Sequence, residues 1–243
     1  MDIKDIHRIE LDMLSKMKEI VLKHDFHFML AYGSMLGAIR DGGIIPWDTD
    51  VDILIDTDCY EKICKTLYDE LPDQYTIIDQ YSNDSYELLF SRICLKNDSH
   101  KVVHIDLFRA IGTPNNLILK YTIMYLLKYL SRGYYIKKAE VFREKVHVKL
   151  LFAKILLFWL PSSFIRFIYK HIVNKLSICD KKEIFNSVVS YGMTENIPVE
   201  WYKELKEVAF GNLTLPISKH YDSYLKHFYN DYWVPRKENY ANK

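Results

Sequence analysis

Three aspartates define the chemistry open to this chain. Asp50 and Asp52 are one residue apart in Asp48-Thr49-Asp50-Val51-Asp52-Ile53, and Asp106 lies in His104-Ile105-Asp106-Leu107-Phe108. Alternate residues of a strand share a face. Asp50 and Asp52 then point one way while Val51, Ile53 and Ile55 enter a core. Asp106 stands opposite Val103, Ile105 and Leu107, with His104 beside it. If the two strands are neighbours, the three carboxylates converge. Carboxylates this close repel one another and are stable when solvated or holding a cation. Mg2+ (or Mn2+) takes oxygen ligands, commonly one or two carboxylates plus substrate phosphates. Such a centre serves an in-line displacement at phosphorus.

Gly33-Ser34 supplies the phosphate side. Glycine permits close backbone approach, and the N–H groups opening the next helix attract phosphate oxygens. Arg40 follows one short helix later, in position for a phosphate or for a surface ion pair. Trp47, beside the acids, either packs its loop or stacks on a base. Gly-Ser followed by Asp-x-Asp is the general nucleotidyltransferase pattern.

These residues need elements to hold them. Residues 3–23 read as an amphipathic helix, with Ile6, Ile9, Leu14, Met17 and Val21 at three- and four-residue steps. His27–Tyr32 is an apolar run that suits a buried strand, and Ser34 is placed to cap a helix over Met35–Arg40 that ends at Gly42-Gly43. A loop fixed at Pro46 leads to a strand at Val51–Ile55, then a helix over Asp58–Leu71 closed by Pro72. Tyr75–Asp79, Tyr86–Leu95 and Val102–Phe108 are strand candidates, rich in β-branched and aromatic residues. From Leu117 to about Ile178 the pattern is helical, aromatic and basic. From Tyr191 on the chain reads as irregular, with helices expected around Val199–Lys206 and Ser218–Tyr229. The expected organisation is a catalytic core over 1–115, a basic helical region over 116–190 and a C-terminal segment over 191–243 that completes the catalytic domain.

Composition narrows the class. In 243 residues, 49% are apolar and 27% charged, enough to bury a core. The longest apolar run, Ile155–Pro161, is far short of the roughly 20 residues of a membrane span. No signal-peptide core opens the chain, so a cytoplasmic location is expected, peripheral at the inner face of the membrane if the basic region binds it. Cys59, Cys64, Cys94 and Cys179 are scattered and read as buried thiols. The net charge of +1 hides an asymmetry: residues 117–182 hold 14 Lys/Arg and three acids (Glu140, Glu144, Asp180), a net of +11, leaving −10 elsewhere. A basic, aromatic surface of this kind suits an anionic bilayer. The alternative is a solvated face covering the sheet. Nucleic acid is not expected as a partner, because no recognition motif accompanies the charge.

The run Gly33-Ser34-Met35-Leu36-Gly37-Ala38-Ile39-Arg40-Asp41-Gly42-Gly43-Ile44-Ile45-Pro46-Trp47-Asp48-Thr49-Asp50-Val51-Asp52 resembles the signature of the LicD family, G-T-L-L-G-A-V-R-x-x-G-x-I-P-W-D-D-D-I-D. Ile105-Asp106-Leu107-Phe108 resembles that family's I-D-I-F segment. Phe210–Pro216 and the aromatic stretch through Tyr229-Asn230-Asp231-Tyr232 resemble its closing motif. Thr49 replaces the middle Asp of W-D-D-D, and Asn230 the Gly of Y-G-D-Y. The resemblance implies an α+β, nucleotidyltransferase-like mixed sheet flanked by helices, with metal ligands at Asp50, Asp52 and Asp106. It implies transfer of a phosphoalcohol, often phosphocholine from CDP-choline, to a glycan hydroxyl with release of CMP; relatives similar to fukutin use CDP-ribitol.

The catalytic candidates are therefore Asp50, Asp52 and Asp106, the last also to steer or deprotonate the acceptor hydroxyl. The substrate-binding candidates are Gly33, Ser34, Arg40, Trp47, Asp48, Arg92, Tyr229, Tyr232 and Trp233, with the last three as an aromatic cage for choline. The expected partners are a CDP-alcohol donor, CDP-choline favoured over CDP-glycerol or CDP-ribitol, and a glycan acceptor, lipid-linked or free. The rival is a nucleotidyltransferase that adds NMP to a small molecule and releases pyrophosphate.

Overall fold

The computed structural model describes residues 1–98, 102–138 and 159–234. Residues 139–158 of the expected basic helical region, with Glu140 and Glu144, lie outside the described residues. The fold is the expected α+β one. A mixed sheet runs in the order β1 (Met29–Leu30), β2 (Asp50–Asp56), β5 (His104–Gly112), β4 (Ser91–Leu95), β3 (Tyr75–Ile78). β2 and β5 are parallel, and the other pairings are antiparallel. β6 (Glu183–Asn186) adds to the far end of β5 and pairs in turn with β7 (Ile197–Pro198).

Helix α1 (Ile3–Lys23) matches the expected span, capped by the Asp2 side chain accepting from the Asp5 N–H (2.9 Å). Its apolar stripe, including Met13, Leu14, Met17 and Val21, is completely buried. Helix α3 (Thr57–Glu70) starts on Asp56, whose carboxylate accepts from the N–H groups of Asp58 and Cys59. Val51, Ile53 and Ile55 lie in the core as their alternation required. Cys64 and Cys94 are buried and Cys59 is half-buried, but Cys179 is exposed.

Several expectations are corrected. The α2 helix (Tyr32–Arg40) starts earlier, with Ala31 at its cap. Ser34 caps nothing: its Oγ accepts from the Asp52 N–H (2.7 Å), fastening α2 to β2. The strand expected over Tyr86–Leu95 is confined to Ser91–Leu95, while Tyr86, Leu89 and Phe90 are buried without strand pairing. The stretch after Tyr191 is not irregular. After a short helix, α6 (Glu200–Lys203), in place of the one expected over Val199–Lys206, comes a hairpin of β8 (Leu205–Phe210) and β9 (Leu213–Ser218). Helix α7 (Tyr221–Tyr229) follows, within the expected span. The basic region contributes α4 (Leu117–Lys138) and α5 (Ser162–Val173), which pack on each other around Met124, Leu127, Tyr134, Ile165 and Tyr169. Among the described residues, no helix is long and apolar enough to cross a membrane.

The hairpin reaches back to the acidic loop. Gly211, at φ +61° in its two-residue turn, donates its N–H to the Gly42 carbonyl (2.7 Å). Gly37 lies so close to the same loop that a Cβ there would sit 2.3 Å from the Gly43 carbonyl oxygen. Gly37→Ala is therefore expected to lower stability by about 1–3 kcal/mol through forced backbone movement. Urea unfolding compared with wild type would read this, and an unchanged midpoint would show that the loop yields freely.

Candidate active site

The parallel pairing of β2 and β5 sets the site. Asp52 stands opposite Asp106 and Asp50 opposite His104, so one face carries three aspartates and a histidine across adjacent strands. The antiparallel β4 puts Arg92 opposite Asp106 on the other side. Its guanidinium forks onto that carboxylate, Nε to Oδ1 at 2.5 Å and Nη2 to Oδ2 at 3.1 Å. His104 Nε2 is 3.6 Å from the same Oδ1. One ligating atom each from Asp50, His104 and Asp106 all lie within 4.8 Å of one another. His104, which the sequence places beside Asp106, joins this group.

Two further acids crowd the same place. Asp48 lies at the mouth, where a Cβ added at Gly33 would meet its Oδ2 at 3.2 Å and that of Asp52 at 4.0 Å. The glycine thus lets the N-terminal end of α2 press against both carboxylates. Glu10, on α1, is completely buried, and neither of its carboxylate oxygens has a hydrogen-bond partner. One helical turn earlier, His7 Nε2 donates to the Asp48 carbonyl (2.8 Å), so this face of α1 lies on the acidic loop.

The electrostatic result is an excess of buried negative charge. Burial, then the charges of Asp50 and Asp48, push Glu10 up to about 9. Burial, then Asp50, raise Asp48 to about 7. Asp52 is raised by burial and by Asp50, Asp106 and Asp48, with Arg92 opposing. Asp106 is raised by burial against the pull of Arg92. With Arg92 committed to Asp106, the group that could take a divalent cation by distance is Asp50, His104 and Asp106; Asp52, expected as a ligand, stands across from Asp106 on the paired strand.

The other candidates divide. Arg40 pairs with Asp41, Nη2 to Oδ2 at 2.7 Å, and lies over the Trp47 ring at 5.7 Å. Trp47 is half-buried and packs against the main core. Tyr229 stands on the acid side: Asp52 contributes to raising its hydroxyl pKa, after burial and Tyr191. Its hydroxyl is 3.2 Å from that of Tyr191. Tyr232 does not join it, because its hydroxyl donates to Asp222 (2.9 Å) at the opposite end of α7 and its ring lies beside the exposed Trp233. Sequence reasoning missed the rings that do gather near Tyr229. Tyr191 stacks on Tyr32 (4.9 Å between ring centres) and meets Phe228 edge-on (5.2 Å). Tyr32 holds a left-handed backbone, φ +43°, which its N–H bond to the Tyr224 hydroxyl (3.2 Å) and its own hydroxyl bond to Glu195 secure.

The surplus charge has a thermodynamic signature. Glu10 is raised from an ordinary 4.5 to about 9 in the folded protein. The folded chain therefore keeps a proton that the unfolded chain releases across that interval, and stability falls as pH rises through it. Without divalent ions, the melting temperature is expected to drop between about pH 5 and pH 9. Glu10→Gln should flatten the profile, and Mg2+ should raise the melting temperature more at pH 8 than at pH 6. Differential scanning calorimetry measures all three, and a wild-type profile as flat as that of the variant would remove Glu10 from the charge balance.

Residues 25–142 match the family described as LicD/FKTN/FKRP, nucleotidyltransferase domain. The lipopolysaccharide cholinephosphotransferase LicD of Haemophilus influenzae is 21% identical over 232 residues, which cover 91% of this chain and 88% of that protein. The matched span contains Gly33, the acidic loop, β2, Arg92 and Asp106. The similarity to that nucleotidyltransferase domain thus covers just under half of the chain and holds the aspartates of the site.

Proposed function

We propose that the protein is a metal-dependent phosphotransferase that moves a phosphoalcohol from a CDP-linked donor to a glycan hydroxyl in lipopolysaccharide modification. Phosphocholine from CDP-choline is the favoured donor group. The cross-strand placement of Asp52 against Asp106, beside Asp50, is the observation that carries this reading. The family domain and the relative's phosphotransfer activity support it.

In the proposed reaction, the acceptor oxygen attacks the phosphorus nearest the alcohol. The bond from that phosphorus to the bridging oxygen breaks, and CMP departs. Asp50, Asp52 and Asp106 would hold Mg2+ or Mn2+, which when bound supplies neutralisation of the pyrophosphate charge. Arg92 occupies both oxygens of Asp106, which suits that carboxylate to ligation and steering better than to proton abstraction. Asp48, raised to about 7, is the carboxylate whose pKa matches a general base at neutral pH. Gly33 keeps side-chain atoms away from Asp48 and Asp52, leaving space for the donor's phosphates. The choline headgroup would rest on the rings of Tyr191 and Tyr229, with the negative charge of Asp52 nearby.

Asp52→Asn is expected to reduce CMP release from CDP-choline by more than about 100-fold while the melting temperature holds or rises, since a repelled buried charge is removed. Normal turnover in the folded variant would exclude Asp52 from the metal centre. Asp48→Asn should lower kcat and erase an acidic limb centred near pH 7; a wild-type-like pH profile would reassign the base. ATP in place of CDP-choline should give no pyrophosphate, and its release would favour the nucleotidyltransferase rival.

Tyr229→Ala is expected to raise KM for CDP-choline about 5–30-fold, the equivalent of one cation–π contact of about 1–2 kcal/mol, and to change KM for CDP-glycerol little. Faster turnover of CDP-glycerol than of CDP-choline by wild type would replace the choline assignment and leave the metal centre standing.

A further inference from the structure

Among the described residues, the basic region exposes a large share of the protein's apolar surface. Among the described residues, ten of 17 exposed large hydrophobic side chains fall between Leu117 and Phe167. On α4 they follow one face: Ile118, Tyr121, Tyr125, Leu126 and Tyr129 recur at three- and four-residue steps. The opposite face, with Met124 and Leu127, is buried against α5. On α5, Phe164 and Phe167 are exposed, the latter 67%, and Trp159 just before the helix is 86% exposed. A soluble surface rarely gathers so much apolar area in one place.

Charge decides what covers it. The described residues of 117–182 hold ten Lys/Arg and one acid, Asp180. Lys120, Arg166 and Lys170 pair with Glu183, Asp84 and Glu61 of other segments. Lys128, Arg132 and Lys175 enter no ion pair among the described residues. Tyr and Trp with basic side chains on a helix too polar to span are the composition of a segment lying in a bilayer interface. A nucleic acid would use the charge and leave the apolar stripe wet. A second copy of the chain would bring the same positive charge against itself.

We infer that the exposed faces of α4 and α5 dock on an anionic lipid bilayer. The surface is connected to the acids. α4 packs against the turn Gly192–Glu195, with Lys128 Nζ 3.5 Å from where a Cβ of Gly192 would lie. Tyr191, the residue before that turn, belongs to the aromatic wall beside Asp52. A docked bilayer would thus lie next to the site and present a lipid-borne glycan acceptor to it; that last step rests on the proposed function, whereas docking does not.

The experiment uses the full chain and vesicles of phosphatidylcholine with and without 30% phosphatidylglycerol (about a third anionic lipid, to give a strong surface potential). Wild type should float with the anionic vesicles at low salt, and recovery should fall several-fold at high salt or with neutral vesicles. Tyr125→Ser with Phe167→Ser, and separately Arg132→Glu, should each reduce recovery without changing the melting temperature. The same variants should keep hydrolysing CDP-choline in detergent-free buffer, so loss of docking and loss of catalysis are read apart. Equal recovery with neutral and anionic lipid, or no flotation at all, would overturn the inference. So would a stable dimer in light scattering that Tyr125→Ser with Phe167→Ser dissolves, since the face would then be a contact between copies.

Discussion

The structure is organised around an electrostatic conflict. Two charges about 5 Å apart, the spacing of adjacent strands, repel by about 3 kcal/mol at an effective dielectric of about 20. The β2–β5 pairing places Asp52 and Asp106 as such neighbours, and Asp50 follows one row away. Arg92 relieves one carboxylate. Ser34, bound to the Asp52 N–H, and the core residues Val51, Ile53 and Ile55 keep the strand from sliding to a register that would separate the acids. A one-residue slip would bury the carboxylates in the core and turn those apolar side chains outward. The core on one face of the sheet thus holds the repulsion in place on the other.

Around this conflict the neighbouring elements have specific tasks. α1 brings a buried acid and a histidine to the loop, α2 brings its N-terminal end through Gly33, and α7 brings the tyrosines. Tyr32 joins the last two. It holds a backbone conformation unusual for a large residue, fixed by Tyr224 from α7 and by Glu195. The aromatic wall is therefore part of the scaffold of α2.

Much of this was legible because it follows simple periodicity. The stripe of α1, the alternation of β2 and the stop at Pro72 each report one local geometry, and Asp106 lies on the polar side of a recognisable strand. What was not legible depended on contacts distant in sequence. Glu10 falls on the buried stripe between Ile6 and Met13, and only the packing of α1 on the acidic loop gives a carboxylate there a meaning. The pairing of Arg40 with Asp41 and the departure of Tyr232 toward Asp222 follow from side-chain directions that spacing does not fix. The β8–β9 hairpin carried a signal, Gly211-Asn212 between alternating strands, but Pro216 inside β9 and the charges of Lys206 and Glu207 disguised it. Ser34 read as a cap because caps are what serines commonly do before helices; its partner, Asp52, is 18 residues away.

The bond from the Gly211 N–H to the Gly42 carbonyl has a consequence for how the protein is made. The loop between α2 and β2 is synthesised early, but the hairpin that braces it emerges from the ribosome about 170 residues later, as does Tyr224, the partner of Tyr32. At 5–20 residues per second that delay is on the order of ten seconds or more. During it, the crowded acids sit on an unbraced loop, and the apolar faces meant for α7 and the hairpin stay open. The nascent chain therefore passes through a long interval in which the acidic loop lacks the brace that the finished protein gives it.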